Sequence, residues 1–333
     1  MKRLIAIAAL AAVLASCGGG GGERKPASSG GLYEVFVVCT DERWDGALGD
    51  TLRAIMTTPV QMINQQEPSF TLLHILPTGF NPTIARHRNI LSVKNGAEFA
   101  QPSITAQYDV YSSPQLVVQV TGPTPGSITQ YLSDNRAELM HIFELAERDR
   151  SVALAARFNE RALGEMIKKK FDVELDVPKG YKLRTESEDF IWMSHERPII
   201  SQGFFIYSFP YEGKEDFDPE YMIARRNEFG SRIPGPSDGS YMSTFTEDED
   251  LAPVVSYMVV NGRHWARMNG FWEVEGDYMG GPFVTYATLN PVTRRVVVLD
   301  CYLFSPKHPK RNFFRQLEHL VFSVRVPEAV AAE

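Results

Sequence analysis

Apolar and polar residues alternate with period two from Tyr33 to Thr40, which predicts a strand. Asp45 to Thr57 reads as a short helix ending before Pro59. Phe70–Leu76, Arg88–Val93 and Leu116–Thr121 are β-rich runs bounded by proline and glycine, so each predicts a strand. The rhythm then changes. Thr124-Pro125 signals a helix start, and Asn135 with Glu138 three residues on signals a second. Leu139, Ile142, Phe143 and Ala146, then Leu154, Phe158, Ala162 and Met166, keep helical spacing to about Lys170, with a break expected near Asp149. Lys168, Lys169 and Lys170 suit a helix C-terminus and its dipole.

The second half opens with a strand expected over residues 171–176 (FDVELD), followed by strands at Asp189–His195 and Phe204–Phe209. Asp218-Pro219 opens a short helix that Gly230 closes. Asn261-Gly262 and Asn269-Gly270 each lie between strand-like runs and predict two hairpin loops. With both turns made, Met258 faces Trp265 and Val260 faces Arg263. Met258, Val260, Trp265, Trp272 and Val274 then share the core face, with Arg267 beside Trp272 and His264 opposite Glu275 on the wet face. Strands at Pro282–Leu289 and Arg295–Phe304 follow. A last helix over Pro309–Val324 has the stripe Phe313, Leu317, Leu320, Val321 and Val324. The expected class is α+β, with two subdomains, each a mostly antiparallel sheet with helices packed on one side. The expected divisions are a leader at 1–16, a Gly/Ser-rich tether at 17–31, subdomains at 32–170 and 171–327, and a tail at 328–333.

The N-terminus changes the picture. Met1-Lys2-Arg3 precedes an apolar run from Leu4 to Val13, of signal-peptide length and too short to span a bilayer. Leu14-Ala15-Ser16-Cys17 resembles the lipobox of bacterial lipoproteins. That resemblance implies acylation of the Cys17 thiol and cleavage behind Ser16, with the acyl chains as a stable anchor. A plain secretory signal with a chance cysteine is the competing reading. Gly18 to Gly31 then reads as a tether whose root-mean-square span is roughly 20 Å. No acidic cluster adjoins Cys17, which favours an outer-membrane lipoprotein facing the periplasm. The net charge of −7 becomes −9 once Lys2 and Arg3 leave with the leader, and no basic stripe exists, so nucleic acid is not an expected partner. Cys39 and Cys301 lie in strand-like runs and read as buried free thiols rather than a bridge.

Candidate chemistry is sparse. Gly235-Pro236-Ser237-Asp238-Gly239 has the G-x-S-x-G form, and Asp300 with His308 or His319 follows in hydrolase order. Its flanks, however, are neither an apolar strand nor a helix, so a turn is the favoured reading. Arg225, Arg226 and Arg232 could clamp a carboxylate or phosphate, although pairing with nearby acids is favoured. Gly280 and Gly281 suit a tight turn or a close ligand approach. Trp44, beside Asp41, Glu42 and Asp45, is the best tryptophan for stacking on a sugar. Histidine spacing and the acidic run Glu247–Asp250 match no metal site, and no cofactor is expected.

Four stretches stand together: FIWMSHER with GFFIYSFPY, IPGPSDGSYMST, GFWEVEGDYMGGPFVTY and KRNFFRQLEHLVF. This combination resembles a family of Bacteroidota envelope lipoproteins known only as a domain of unknown function, number forty-eight thirty-seven, and the likeness is expected to span most of the chain after the tether. The resemblance implies an envelope location and lipoprotein status, and carries no catalytic residues. The expected function is a membrane-anchored binding or assembly module with an envelope protein, glycan or peptide as partner. The alternative is a periplasmic hydrolase using the loop around Ser237 and Gly281.

Overall fold

Val35 and Val37 turn inward from β1 (Glu34–Val38), as their alternation demands, and the N-terminal half is built around this strand. A computed structural model describes residues 25–328; Cys17, the leader and residues 329–333 lie outside them. After β1 come α1 (Asp41–Trp44), α2 (Ala47–Met56), β2 (Thr71–Ile75), β3 (Asn89–Asn95), β4 (Ser103–Tyr108), β5 (Leu116–Gly122), α3 (Pro125–Asp134) and α4 (Arg136–Arg157). The five-stranded sheet has the order β2-β1-β3-β5-β4. Its first four members are parallel, and only β4 runs against its neighbour. The antiparallel sheet expected here is therefore corrected. The long connection from β1 to β2, with two helices in it, is the crossover a parallel pair requires, and a strand's own residues do not record its partner's direction. Helices α2, α3 and α4 cover one face through Leu52, Ile55, Ile128, Leu139 and Phe143.

The C-terminal half holds α5 (Arg161–Phe171), β6 (Lys182–Ser187), β7 (Phe190–Arg197), β8 (Ile200–Pro210), α6 (Pro219–Gly230), β9 (Tyr241–Thr244), β10 (Val254–Val260), β11 (Arg263–Glu275), β12 (Gly280–Asn290), β13 (Arg295–Phe304) and α7 (Arg311–Glu318). These strands form an eight-stranded antiparallel sheet, β10-β11-β12-β13-β8-β7-β6, with β9 also paired to β11. The α+β class with two subdomains holds. Helices cover both faces of this sheet, however, rather than one. Phe314, Leu317 and Ile167 pack on one face, Met222 and Phe229 on the other. The reason lies in β8 and β13, which are buried along nearly every residue and so have no wet face.

One hairpin forms as expected. Asn261 and Gly262 both have positive φ, 51° and 76°, and the register sets Met258 against Trp265 and Val260 against Arg263. Asn269-Gly270 makes no turn; both residues lie inside β11, where Gly270 pairs with Phe283. A Cβ on Gly270 would come within 2.8 Å of the Phe283 ring, so glycine serves packing there. With β11 continuous, Trp265 and Trp272 face opposite cores, His264 opposes Val259, and Arg267 pairs with Glu318 instead of lying beside Trp272.

Thr124 and Ser127, not Asn135 and Glu138, make the capping box, and the helical break falls at Phe158–Glu160 rather than near Asp149. Residues 171–176 form no strand; Glu174 alone bridges to Arg325. Because Ile167 and Phe171 pack in the C-terminal core, the halves divide at the break before α5, not after Lys170. Ala27 and Ser29 pair with Ser113 and His87, so this part of the expected tether is attached to the body. Cys39 and Cys301 are free thiols buried in different cores.

A cross-half cap holds the two units together. Glu67, on the loop before β2, accepts from the backbone N–H of Lys310 at 2.6 Å and of Arg311 at 3.0 Å, donors at the start of α7 that have no partner within the helix. The Arg311 guanidinium donates to the Pro68 carbonyl at 2.8 Å, and Arg315 reaches Glu144 at 3.3 Å.

Candidate functional site

The two halves leave a cleft of about 540 Å³ between them, walled by α4 and the start of β3 on one side and by β7, β8 and the segment after α7 on the other. Its polar centre is built on α4. Phe143, Ala146, Glu147 and Arg150 follow the helical repeat, so the stripe that buries Phe143 also turns a carboxylate and a guanidinium inward. Glu147 is 2% exposed. Its carboxylate accepts from Arg88 at 2.8 Å, Asn89 at 2.7 Å, Arg150 at 3.3 Å and the Tyr33 backbone at 3.4 Å. Arg150 also donates to the Asn89 side-chain oxygen at 2.5 Å. Burial pushes the Arg150 guanidinium down to about 10, against the opposing pull of Glu147.

Tyr33 reaches this centre from the other direction. It is buried and left-handed, at φ 60°, a conformation that costs a non-glycine residue roughly 1–2 kcal/mol. Its hydroxyl lies 3.4 Å from His319 Nε2. Burial lowers His319 to about 4, with Arg315 and Arg148 also lowering it and Glu318 opposing, so the imidazole is neutral at pH 7. His319 Nδ1 and Arg88 Nε are buried without hydrogen-bond partners. Around this polar centre much of the wall is apolar, with Lys179, Arg197, Gln202 and Gln316 among it. Leu154, 61% exposed, and Phe158, 48% exposed, line the cleft instead of joining the core stripe in which their spacing placed them.

The state of His319 sets a pH dependence. An unfolded chain protonates this imidazole near pH 6.5, whereas the folded protein resists until about pH 4. Stability therefore falls as pH drops through that window, by up to about 3 kcal/mol from this residue. Urea midpoints measured at pH 7 and pH 4.5 should differ, and His319→Gln should flatten the difference. An unchanged slope in the variant would contradict the neutral buried imidazole.

The residues singled out from sequence are not brought together in this way. Arg226 is fully buried and donates to Asp300 at 2.9 Å and to Thr244 at 2.8 Å, with its guanidinium 3.7 Å from the Phe283 ring centroid. Arg232 pairs with Asp189 at 2.6 Å, and Arg225 with Glu228 at 2.7 Å. All three are therefore held by internal acids. Ser237 sits on an exposed turn, and its hydroxyl donates to Asp277. Asp300 is committed to Arg226 and Thr285, and His319 to the cleft, so the hydrolase triad does not assemble. A Cβ on Gly280 would meet the Trp272 carbonyl at 2.7 Å and one on Gly281 would strike the Leu303 carbonyl, which explains both glycines by strand packing. Trp44 already stacks on His74, with ring centroids 5.0 Å apart, and also meets the Arg53 guanidinium. Among the described residues no cluster of metal-ligating side chains occurs, and no helix is long and apolar enough to cross a membrane. Cys17 lies outside the described residues. The sequence signal for the cleft was available: Glu147 and Arg150 are charges on the buried stripe of an amphipathic helix.

Fold and cleft define a two-unit α+β protein with a ligand-sized space between the units. Residues 160–323 match the model of the family described as Domain of unknown function (DUF4837). Residues 28–155 match a second model, Domain of unknown function (DUF8532), so the family resemblance covers the C-terminal half rather than most of the chain after the tether. No curated protein matches. Among solved structures, the Ran-binding protein Mog1p of Saccharomyces cerevisiae is similar at 11% identity and TM-score 0.31, over 46% of this chain and 89% of its own. LpqN of Mycobacterium tuberculosis, involved in cell envelope biogenesis, is similar at 14% identity and TM-score 0.26, over 45% of this chain and 79% of its own. A protein of Bacteroides thetaiotaomicron is similar at 9% identity and TM-score 0.26, over 47% of this chain and 45% of its own. At these scores the likeness carries nothing about function.

Proposed function

We propose that the protein is an acylated outer-membrane lipoprotein of the periplasmic face that works as a binding module, with the interdomain cleft as its ligand site. The observation that carries the binding role is the cleft itself. It is a space of about 540 Å³ whose lining is mostly apolar with a limited set of polar groups, the form that small-molecule sites take. The anchor rests on the basic start, the apolar run and Leu14-Ala15-Ser16-Cys17. Two features weigh against hydrolysis: Ser237 bonds to Asp277 on an exposed turn, and Asp300 is buried in an ion pair.

A photocrosslinking amino acid at Leu154, on the cleft wall, and another at Ser237, on the exposed turn, test the module in intact envelopes. The Leu154 position should capture a discrete adduct and the Ser237 position none. Equal or absent capture at Leu154 would sink the cleft as a ligand site. Cys17→Ala should release the protein from membranes on fractionation; full retention of the variant would remove the acyl anchor.

A further inference from the structure

The cleft wall carries more positive charge than its own acids balance. Arg88 and Arg150 share one carboxylate, Glu147, so a guanidinium charge is left over in a buried position. Lys179 and Arg197 add two more cations, both exposed, and neither has an acid within the cleft. This sits in a chain whose net charge is −7. A buried cation without a counter-charge is costly, and an incoming anion relieves that cost. Arg88 Nε, buried and unpartnered, is a donor of the kind that carboxylate and phosphate oxygens accept from. Leu32, Val152, Leu154, Phe158 and Leu320 give the cleft a hydrocarbon stretch that suits an alkyl chain, beside polar side chains such as Gln202 and Gln316.

We infer that the cleft binds an anionic amphiphile, a molecule with a carboxylate or phosphate head and an alkyl chain. The head lies against Arg150 and Lys179, and the chain runs along Leu154 and Phe158. This deepens the binding-module reading and depends on it. Charge excess selects the head, and apolar wall selects the tail, so neither half of the ligand suffices alone.

The test uses the full chain in its own membranes and diazirine-bearing twelve-carbon probes with three heads: carboxylate, phosphate and quaternary ammonium. Labelled residues are mapped by mass spectrometry. The carboxylate and phosphate probes should label the segment 152–158 and the ammonium probe should not. Lys179→Glu should reduce that labelling about tenfold at low probe concentration. Arg150→Gln should do the same where it folds; Lys179 is exposed, so its variant keeps the test decisive. Inorganic phosphate should compete poorly against the phosphate probe. Effective competition by inorganic phosphate would overturn the amphiphile in favour of a simple anion site. Equal labelling by all three heads, unchanged in Lys179→Glu, would overturn the anionic head and leave a cleft that binds hydrocarbon. Absent labelling alongside successful capture at Leu154 of a different molecule would overturn this inference alone; absence of both would overturn the cleft as a site.

Discussion

Asp300→Ala should destabilise the protein by about 3–5 kcal/mol, because it leaves the Arg226 guanidinium buried and uncompensated. Both side chains are wholly inaccessible, and Arg226 donates to Asp300 through Nε at 2.9 Å and through Nη2 at 3.4 Å. Thr285 donates to the same carboxylate from the neighbouring strand. Arg226 further satisfies Thr244 and the Ser243 carbonyl, so one side chain ties α6 to β9 and β13. A chemical denaturation series checks the loss. The pair Arg226→Met with Asp300→Leu should recover much of it, since an apolar pair of similar volume removes both charges together. If Asp300→Ala unfolds at the same urea concentration as the parent, the pair does not hold the C-terminal sheet as described. The double variant should also keep cleft labelling, which separates Arg226 as a structural arginine from a ligand clamp.

Glu147→Ala should cost a similar amount, about 3–5 kcal/mol, and for a related reason. Here two guanidiniums, those of Arg88 and Arg150, lose their shared acceptor, and the Asn89 side chain loses its 2.7 Å bond. Thermal unfolding should drop on the order of 10 °C. Glu147→Gln should lose less than Ala, since the amide oxygen still accepts from Asn89. Equal losses for Ala and Gln would mean that the charge alone, and not the hydrogen bonds, holds the centre. No loss in either would contradict the burial of this network.

What the sequence disclosed and what it hid have physical causes. Period and turn chemistry are local, so β1, β3, β5, β8, β13, α6 and the Asn261-Gly262 hairpin are readable residue by residue. Sheet direction is not local, so the parallel N-terminal sheet was out of reach. Asn269-Gly270 misleads because the same dipeptide that favours a turn also clears room for the Phe283 ring. Sheet faces are equally hidden when a strand is apolar on both sides, which is why α6 and α7 lie across the sheet from one another.

The site follows the same division. Arg225, Arg226 and Arg232 form a cluster in the sequence, yet each has an acid supplied by folding: Glu228 one turn on, Asp300 from β13 and Asp189 from before β7. The cleft is made by elements far apart in the chain, with Tyr33 and His319 separated by 286 positions. Only Glu147 and Arg150 are legible locally, as charges where apolar residues belong, although neither is among the candidate residues singled out from sequence. Leu154 and Phe158 hold core spacing but face open space, because the cleft between the halves lies where that stripe reaches them.

The most direct measurement is native mass spectrometry of the full chain released gently from its own membranes, alongside the Leu154→Asp variant, whose added carboxylate lies on the exposed cleft wall. The parent should carry a discrete small molecule of anionic, alkyl-bearing composition, and the variant should be empty while equally folded. A parent that emerges empty, or a variant that retains the same adduct, would contradict the cleft as the working part of this protein.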